Sequence, residues 1–327
     1  MSAKSSIEWT DVTWNPVRGC SLVSEGCRNC YAMKQAHRFS GPGQPYEGLT
    51  YGPRWTGKIQ LVHDAIEEPL HWKKPRKIFV NSMSDLFHED VPDEFIERVF
   101  VTMARTPRHT YQILTKRPQG MLAFLERNST GGRIFHLADD RGVESGAWPL
   151  PNVWLGVSVE NQATADERIP ILLETPAAVR FVSAEPLLGP VDLSNYLQPP
   201  DFLPGRHVKI GPGEWIVDAD RAHLMWHGLD WVIVGGESGP GARPCDVAWI
   251  RSIKSQRLAA DVSVFIKQLG SRPFVVEGSR DAQEWSASGA SAVMDDCGGI
   301  HAKDKKGGEM AEWPEDLRLR EFPGVPA

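Results

Sequence analysis

Long hydrophobic runs are missing from this chain. No apolar stretch approaches the roughly 20 residues that span a bilayer, so no membrane segment is expected. An apolar signal region is missing too: Met1-Ser2-Ala3-Lys4-Ser5-Ser6 leads straight into Ile7-Glu8-Trp9, and a cytoplasmic protein is expected. Cysteine is scarce. Five cysteines in 327 residues, three of them in one short stretch, are too few and too clustered for a disulfide framework. In a reducing compartment such clustering reads as metal or redox chemistry. An excess of positive charge is also lacking: 36 Lys and Arg face 42 Asp and Glu, and the net charge of −6 leaves no global footprint for nucleic acid. One basic run, His71-Trp72-Lys73-Lys74-Pro75-Arg76-Lys77, stands against that balance and reads first as a solvated turn before a strand. Apolar content is modest at 41%, yet a chain this long still buries a large core.

What is present is an alternation of short apolar runs with helical periodicity. Strands are predicted over Trp9–Trp14, Lys77–Asn81, Thr110–Thr115, Val153–Val159, Val179–Ser183, Trp231–Gly235 and Val262–Lys267. Helices are predicted over Asp93–Ala104, from Pro118, over Gln162–Leu173 and over Asp246–Ala259. Near-continuous apolar strands separated by helices mark a parallel sheet buried on both faces. The expected fold is α/β, a parallel (β/α) barrel, open or partial and of TIM type, over residues 1–270. Insertions are expected near 130–151 and 197–228, which are rich in Gly, Pro and charge. Residues 271–327 lose the alternation and form an irregular C-terminal extension or lid.

The strongest chemical signal is Cys20-Ser-Leu-Val-Ser-Glu-Gly-Cys27-Arg-Asn-Cys30-Tyr31. Thiolates are soft ligands that select iron–sulfur clusters, zinc or Cu(I). Three local thiolates can hold three irons of a [4Fe–4S] cube and leave the fourth iron open to a small-molecule ligand. Structural zinc is the other reading, with Cys245, Cys297 or His37 as fourth ligand, although no second Cys-x-x-Cys exists here. The loop follows the first strand, where barrels of this architecture place their active sites.

The carboxyl ends of the predicted strands carry many polar groups: Asn81, Ser82, Ser84 and Asp85; Thr115, Lys116 and Arg117; Ser158, Glu160 and Asn161; Ser183 and Glu185; Glu237 and Ser238; Lys267 and Gln268. Any one strand must end in something polar, but the whole set, both acidic and basic, reads as a ligand site. Gly235-Gly236-Glu237-Ser238-Gly239 has the spacing of neither a dinucleotide fingerprint nor a phosphate loop. Its glycines either let backbone approach a flat ligand or form a tight turn before Pro240. Cys245 reads as a buried small residue before a thiol donor.

A Cys-x-x-Cys pair followed by an aromatic, with a third cysteine upstream and after the first strand, resembles the cluster loop of radical S-adenosylmethionine (SAM) enzymes. Most of that superfamily space the first two cysteines by three residues; here there are six. Nearly the whole chain also resembles an uncharacterised, phage-associated bacterial family with a three-cysteine motif. The segments that carry this likeness are Ile7–Asp11, Val157–Asn161, Phe181–Gly189, Gly235–Pro240, Lys267-Gln268 and Glu312–Arg318.

The resemblance implies a radical-SAM-like barrel with a [4Fe–4S] cluster on Cys20, Cys27 and Cys30, and SAM as second cofactor. It puts Asn81, Ser82, Ser84 and Asp85 near the amino group of SAM, and Lys116 or Arg117 near its carboxylate. Ser158, Glu160 and Asn161 fall near the ribose, while Ser183, Glu185, Gly235, Gly236 and Glu237 complete the cofactor-binding set. The reaction implied is reductive cleavage of SAM to act on an unknown substrate, with a flavodoxin or ferredoxin as electron donor. Two alternatives stay open: a cluster-containing protein of phage origin that binds or processes nucleic acid, and a zinc-stabilised barrel with no redox role.

Overall fold

The structure is a computed structural model that describes residues 5–127, 130–139, 147–197, 206–211, 214–219 and 222–324. The chain divides into two compact units, Met1–Val157 with Glu174–Arg180, and Ser158–Leu173 with Phe181–Ala327. Seven parallel strands form the main sheet: β1 (Val12–Trp14), β2 (Lys77–Val80), β3 (Thr110–Thr115), β4 (Val153–Val159), β5 (Val179–Ala184), β6 (Trp231–Gly235) and β7 (Ser263–Gln268). They lie side by side in chain order, β1 to β7. A doubly wound sheet reverses its strand order at a switch point. A sequential order is that of a singly wound (β/α) sheet, with β1 and β7 as its end strands among the described residues.

In the first unit the strands register Val12 on Ile78, Ile78 on Tyr111 and Ile113 on Leu155. The helices are α1 (Tyr31–His37), α2 (Asp93–Ala104), α3 (Pro118–Leu125) and α4 (Thr130–Asp139). The apolar stripe of α2 buries Phe95, Ile96, Val99, Phe100 and Met103, each contributing about 1.5–3 kcal/mol by leaving water. Pro118 opens α3, where a missing N–H costs no helical hydrogen bond. The first strand is shorter than the Trp9–Trp14 expected. Thr10 Oγ1 donates to the carbonyls of Val12 and Lys77, and the Thr10 N–H, donating to the Ile7 carbonyl, closes a turn over Glu8 and Trp9 before pairing begins. The expected insertion near 130–151 starts with α4 instead. Its paired Gly131 and Gly132 hide the helical face, on which Thr130, Ile134 and Ala138 are fully buried at four-residue spacing. Residues 140–146 of that stretch lie outside the described residues.

In the second unit β6 registers Trp231 on Phe181 of β5 and on Ser263 of β7. Helices α5 (Gln162–Glu174), α6 (Val247–Ala260) and α7 (Arg280–Ala287) belong to this half of the chain. Asp246 caps α6 by accepting from the Ala248 N–H. The stretch near 197–228 holds a three-stranded antiparallel sheet, Arg206–Gly211, Glu214–Ala219 and Ala222–His227. The C-terminal extension packs along β7: the Ile266 N–H donates to Leu319 and the Glu321 N–H to Val264. Trp313 and Leu317 are fully buried there.

Candidate functional site

The cysteine loop leaves the carboxyl end of β1 and is tied at once to the segment that follows β2. The Val17 N–H donates to Asn81 Oδ1 at 3.2 Å, and Ser84 Oγ donates to the Val17 carbonyl at 2.8 Å. Gly19 bridges Ser84 and has a φ of +84°. A Cβ there would sit 2.3 Å from the Lys58 carbonyl oxygen, so only glycine lets the chain pass into Cys20. Cys27 ends a single 3₁₀ turn, Glu25–Cys27, and Cys30 is the N-cap of α1. Tyr31 then fastens the helix by donating its hydroxyl to the Ser82 carbonyl at 2.7 Å.

All three thiols of the loop are half-buried. Burial, and secondly the Asp85 carboxylate, push the Cys20 thiol up to about 12, against the lowering effect of the Arg117 guanidinium. Burial also raises Cys30, while the N–H groups of Met33 and Ala32 at the start of α1 and the Lys116 charge oppose it. Negative charge on Cys30 disfavours it on Cys20, and Cys27 acts on Cys30 in the same way. The three sulfurs therefore share one electrostatic environment.

Around Cys20 the first unit builds a closed polar network. Arg117 Nη1 lies 3.9 Å from Cys20 Sγ and 3.3 Å from Asp85 Oδ2. Its Nε donates to Glu89 at 2.9 Å and its Nη2 to Ser21 Oγ at 2.6 Å. Ser21 Oγ also meets His88 Nε2 at 3.0 Å and donates to Glu89 at 3.4 Å. Asp85 is buried and accepts from the Thr115 hydroxyl and from the N–H groups of Phe87 and Lys116. Asn81 has a left-handed φ of +59° and is 3% exposed. Its Oδ1 is taken by Val17, and its buried Nδ2 has no partner among the described residues. Asn15 Oδ1 receives the Ser82 hydroxyl and the Met83 N–H, both at 3.1 Å.

The second unit holds the other expected residues. Glu160 is buried against Arg168 of α5, whose Nη1 also donates to the Ser158 carbonyl at 2.7 Å. Asn161 Oδ1 caps the start of α5 by accepting from the Thr164 N–H. Ser183 is buried in β5, opposite Ile233. Glu185, at the end of β5, receives Lys267 Nζ at 2.6 Å and Gln268 Nε2 at 3.3 Å from the end of β7. That reach passes the end of β6, where Gly235 and Gly236 have no side chains. A Cβ on Gly235 would lie 3.1 Å from the Gln268 carbonyl oxygen, and one on Gly236 only 2.2 Å from that of Leu269. The close approach these glycines permit is therefore of the chain to itself. Glu237 is held by Arg243 through its backbone N–H, Nε and Nη2. Cys245 is buried beside Gly236, which pushes its thiol up to about 12. Cys297 is exposed.

The structure thus brings Cys20, Asn81, Ser82, Ser84, Asp85 and Lys116 together in one unit, and Glu185, Gly236, Lys267 and Gln268 in the other. Sequence reasoning passed over Asn15, Ser21, His88 and Glu89. The polar run His88-Glu89-Asp90, directly after the apolar Leu86-Phe87, was the available signal.

Among the described residues no three His, Cys, Asp or Glu side chains are arranged to hold one metal ion. The thiolates of an iron–sulfur cube each bind a different iron, so a cluster asks instead for reachable sulfurs with hydrogen-bond donors facing them. The loop offers half-buried sulfurs with N–H donors at Cys20 and Cys30.

No curated protein matches the chain. Two solved structures are similar to it at low identity. One, described as spore photoproduct lyase complexed with dinucleoside spore photoproduct, is 9% identical over 93% of this chain and 72% of that one, with a TM-score of 0.40. The other, a cysteine-to-serine mutant of spore photoproduct lyase, is 11% identical over 57% of this chain, with a TM-score of 0.35; the match spans 48% of that structure's length. Residues 4–297, which include all five cysteines, match the family described as protein of unknown function DUF5131, and the chain belongs to that family.

Proposed function

We propose that the chain is an iron–sulfur enzyme of radical SAM type, with a [4Fe–4S] cluster on Cys20, Cys27 and Cys30. One observation carries the reading. Three half-buried thiols sit on a single loop at the carboxyl end of β1, and the sulfurs of Cys20 and Cys30 already face N–H donors. A cluster held by these cysteines would supply a single electron for the reductive cleavage of SAM.

The residues of the first unit orient that cofactor. Ser82 and Ser84 spend their hydroxyl protons on Asn15 and on the Val17 carbonyl, which leaves oxygen lone pairs for an ammonium group. Lys116, half-buried at the end of β3, is the cation for the SAM carboxylate. Asp85 holds the turn between β3 and Arg117 in place through Thr115 and the Lys116 N–H. Tyr31, the first residue of α1, donates its hydroxyl to the Ser82 carbonyl and keeps the cysteine loop against the segment after β2. The substrate and the electron donor are further parts of the proposal, with a flavodoxin or ferredoxin expected in the second role.

The test is anaerobic reconstitution with iron and sulfide, followed by metal and sulfide analysis and the visible spectrum. The wild-type chain should take up about four irons and four sulfides. Each of Cys20→Ala, Cys27→Ala and Cys30→Ala should lose the cluster absorption. A variant that keeps the full spectrum removes its cysteine from the ligand set, and zinc in place of iron overturns the reading.

A further inference from the structure

We infer that Arg117 is a positioning residue for the Cys20 sulfur, and that its hydrogen bond and charge set the reduction potential of the iron–sulfur group held there. The inference rests on the proposed function. Its structural basis is the way the guanidinium is fixed from every side. Asp85 and Glu89 hold Nη1 and Nε, and Ser21 Oγ holds Nη2 at 2.6 Å. Ser21 is itself the residue after Cys20, so the loop carries one anchor of the guanidinium next to the sulfur it serves.

The hydroxyl of Ser21 is fully used. The Asp90 N–H donates to His88 Nδ1 at 3.2 Å, so the neutral imidazole carries its proton on Nε2 and donates to Ser21 Oγ. Ser21 Oγ therefore accepts from both His88 and Arg117 and gives its own proton to Glu89. A hydroxyl with one proton given and two lone pairs occupied cannot turn away, and the Arg117 fork stays where it is. The remaining direction of Nη1 is towards Cys20 Sγ, 3.9 Å away.

A guanidinium at a cluster thiolate stabilises the reduced, more negative state and so raises the potential. In this role Arg117 acts through the sulfur. The neighbouring carboxylates moderate the effect. Glu89 is 65% exposed in its side chain, and removing its charge should leave the guanidinium field at Cys20 stronger.

Two measurements test the inference, one on the reconstituted protein and one on the apoprotein. In redox titrations of the cluster followed by electron paramagnetic resonance, Arg117→Met should shift the midpoint potential to more negative values. Arg117→Lys should fall between it and wild type, and Glu89→Gln should shift the potential the opposite way. The Glu89 variant keeps the test alive should Arg117→Met fail to fold. In apoprotein carrying Cys27→Ser, Cys30→Ser and Cys297→Ser, with Cys245 buried, the rates of iodoacetate and iodoacetamide attack on Cys20 are compared. Their ratio cancels the thiolate fraction and reads the local charge. Arg117→Met should lower it roughly two- to fivefold, the effect of one nearby charge in water. A cluster whose potential is indifferent to all three substitutions overturns the inference while leaving the proposed function standing. A protein that assembles no cluster overturns the proposed function, and an unchanged alkylation ratio then disposes of the role of Arg117 as well.

Discussion

His88 shows how one side chain can couple the cysteine loop to pH. It is buried, and burial followed by the Arg117 charge lowers its pKa below the ordinary 6.5, although Glu89, Asp90 and Asp85 pull the other way. The native state thus refuses a proton that the unfolded chain accepts as pH falls through about 6.5. Stability from this group is complete above that value and is lost as pH drops towards the lower native pKa. Urea unfolding of the wild type between pH 7 and pH 5 should show that loss, at most about 1.4 kcal/mol per pH unit for one group. His109, also lowered by burial, adds to it. His88→Gln keeps a donor for Ser21 but cannot titrate, so its stability should fall less over the same interval. Equal slopes for the two proteins would contradict this account. At this scale the position of the three cysteines on the loop after the first strand was legible in the sequence, while their role as ligands is the proposal. Arg117, Ser21 and His88 were not legible as a unit, because three separate loops bring them together and no local pattern records that.

The elements were read most securely where one periodicity ruled. Strands β3, β4 and β6 and helix α2 match the expected bounds residue for residue. Buried residues dominate these elements, and polar groups, Gly or Pro close them. Helix α4 was missed because two glycines stand in its first turn, where propensity opposes what burial of Ile134 and Ala138 achieves. The two kinds of glycine predict opposite outcomes. Gly132 has open space where a Cβ would go, so Gly132→Ala should stabilise the protein by about 0.5–1 kcal/mol. At Gly236 a Cβ would meet the Leu269 backbone at 2.2 Å and Cys245 Cβ at 2.9 Å. Gly236→Ala should therefore destabilise by about 1–3 kcal/mol, the usual cost of overpacking. Urea midpoints of the two variants against wild type decide the matter; a neutral Gly236→Ala would mean that β6 and β7 can move apart freely.

For the whole molecule, alternation of strands and helices supported the parallel α/β class, and the number of units favoured a barrel; the sequential strand order itself is a finding of the structure. The division into two compact units cuts through β4, α5 and β5, where the composition does not shift, and so leaves no mark in the sequence. No helix among the described residues is long and apolar enough to cross a membrane. The C-terminal extension, unpatterned in sequence, gains its place through backbone pairing with β7 and the burial of Trp313, whose ring lies under the Arg320 guanidinium. Neither contact leaves a periodic trace. What unifies the chemistry of the first unit is the cysteine loop with its network of donors, and the account turns on whether an open iron is held there. The most direct measurement is electron paramagnetic resonance of the reconstituted, reduced protein with and without SAM. A [4Fe–4S] signal that changes when SAM is added is the predicted result, because an open iron then takes the cofactor as ligand. A cluster signal indifferent to SAM, or no cluster at all, would contradict it.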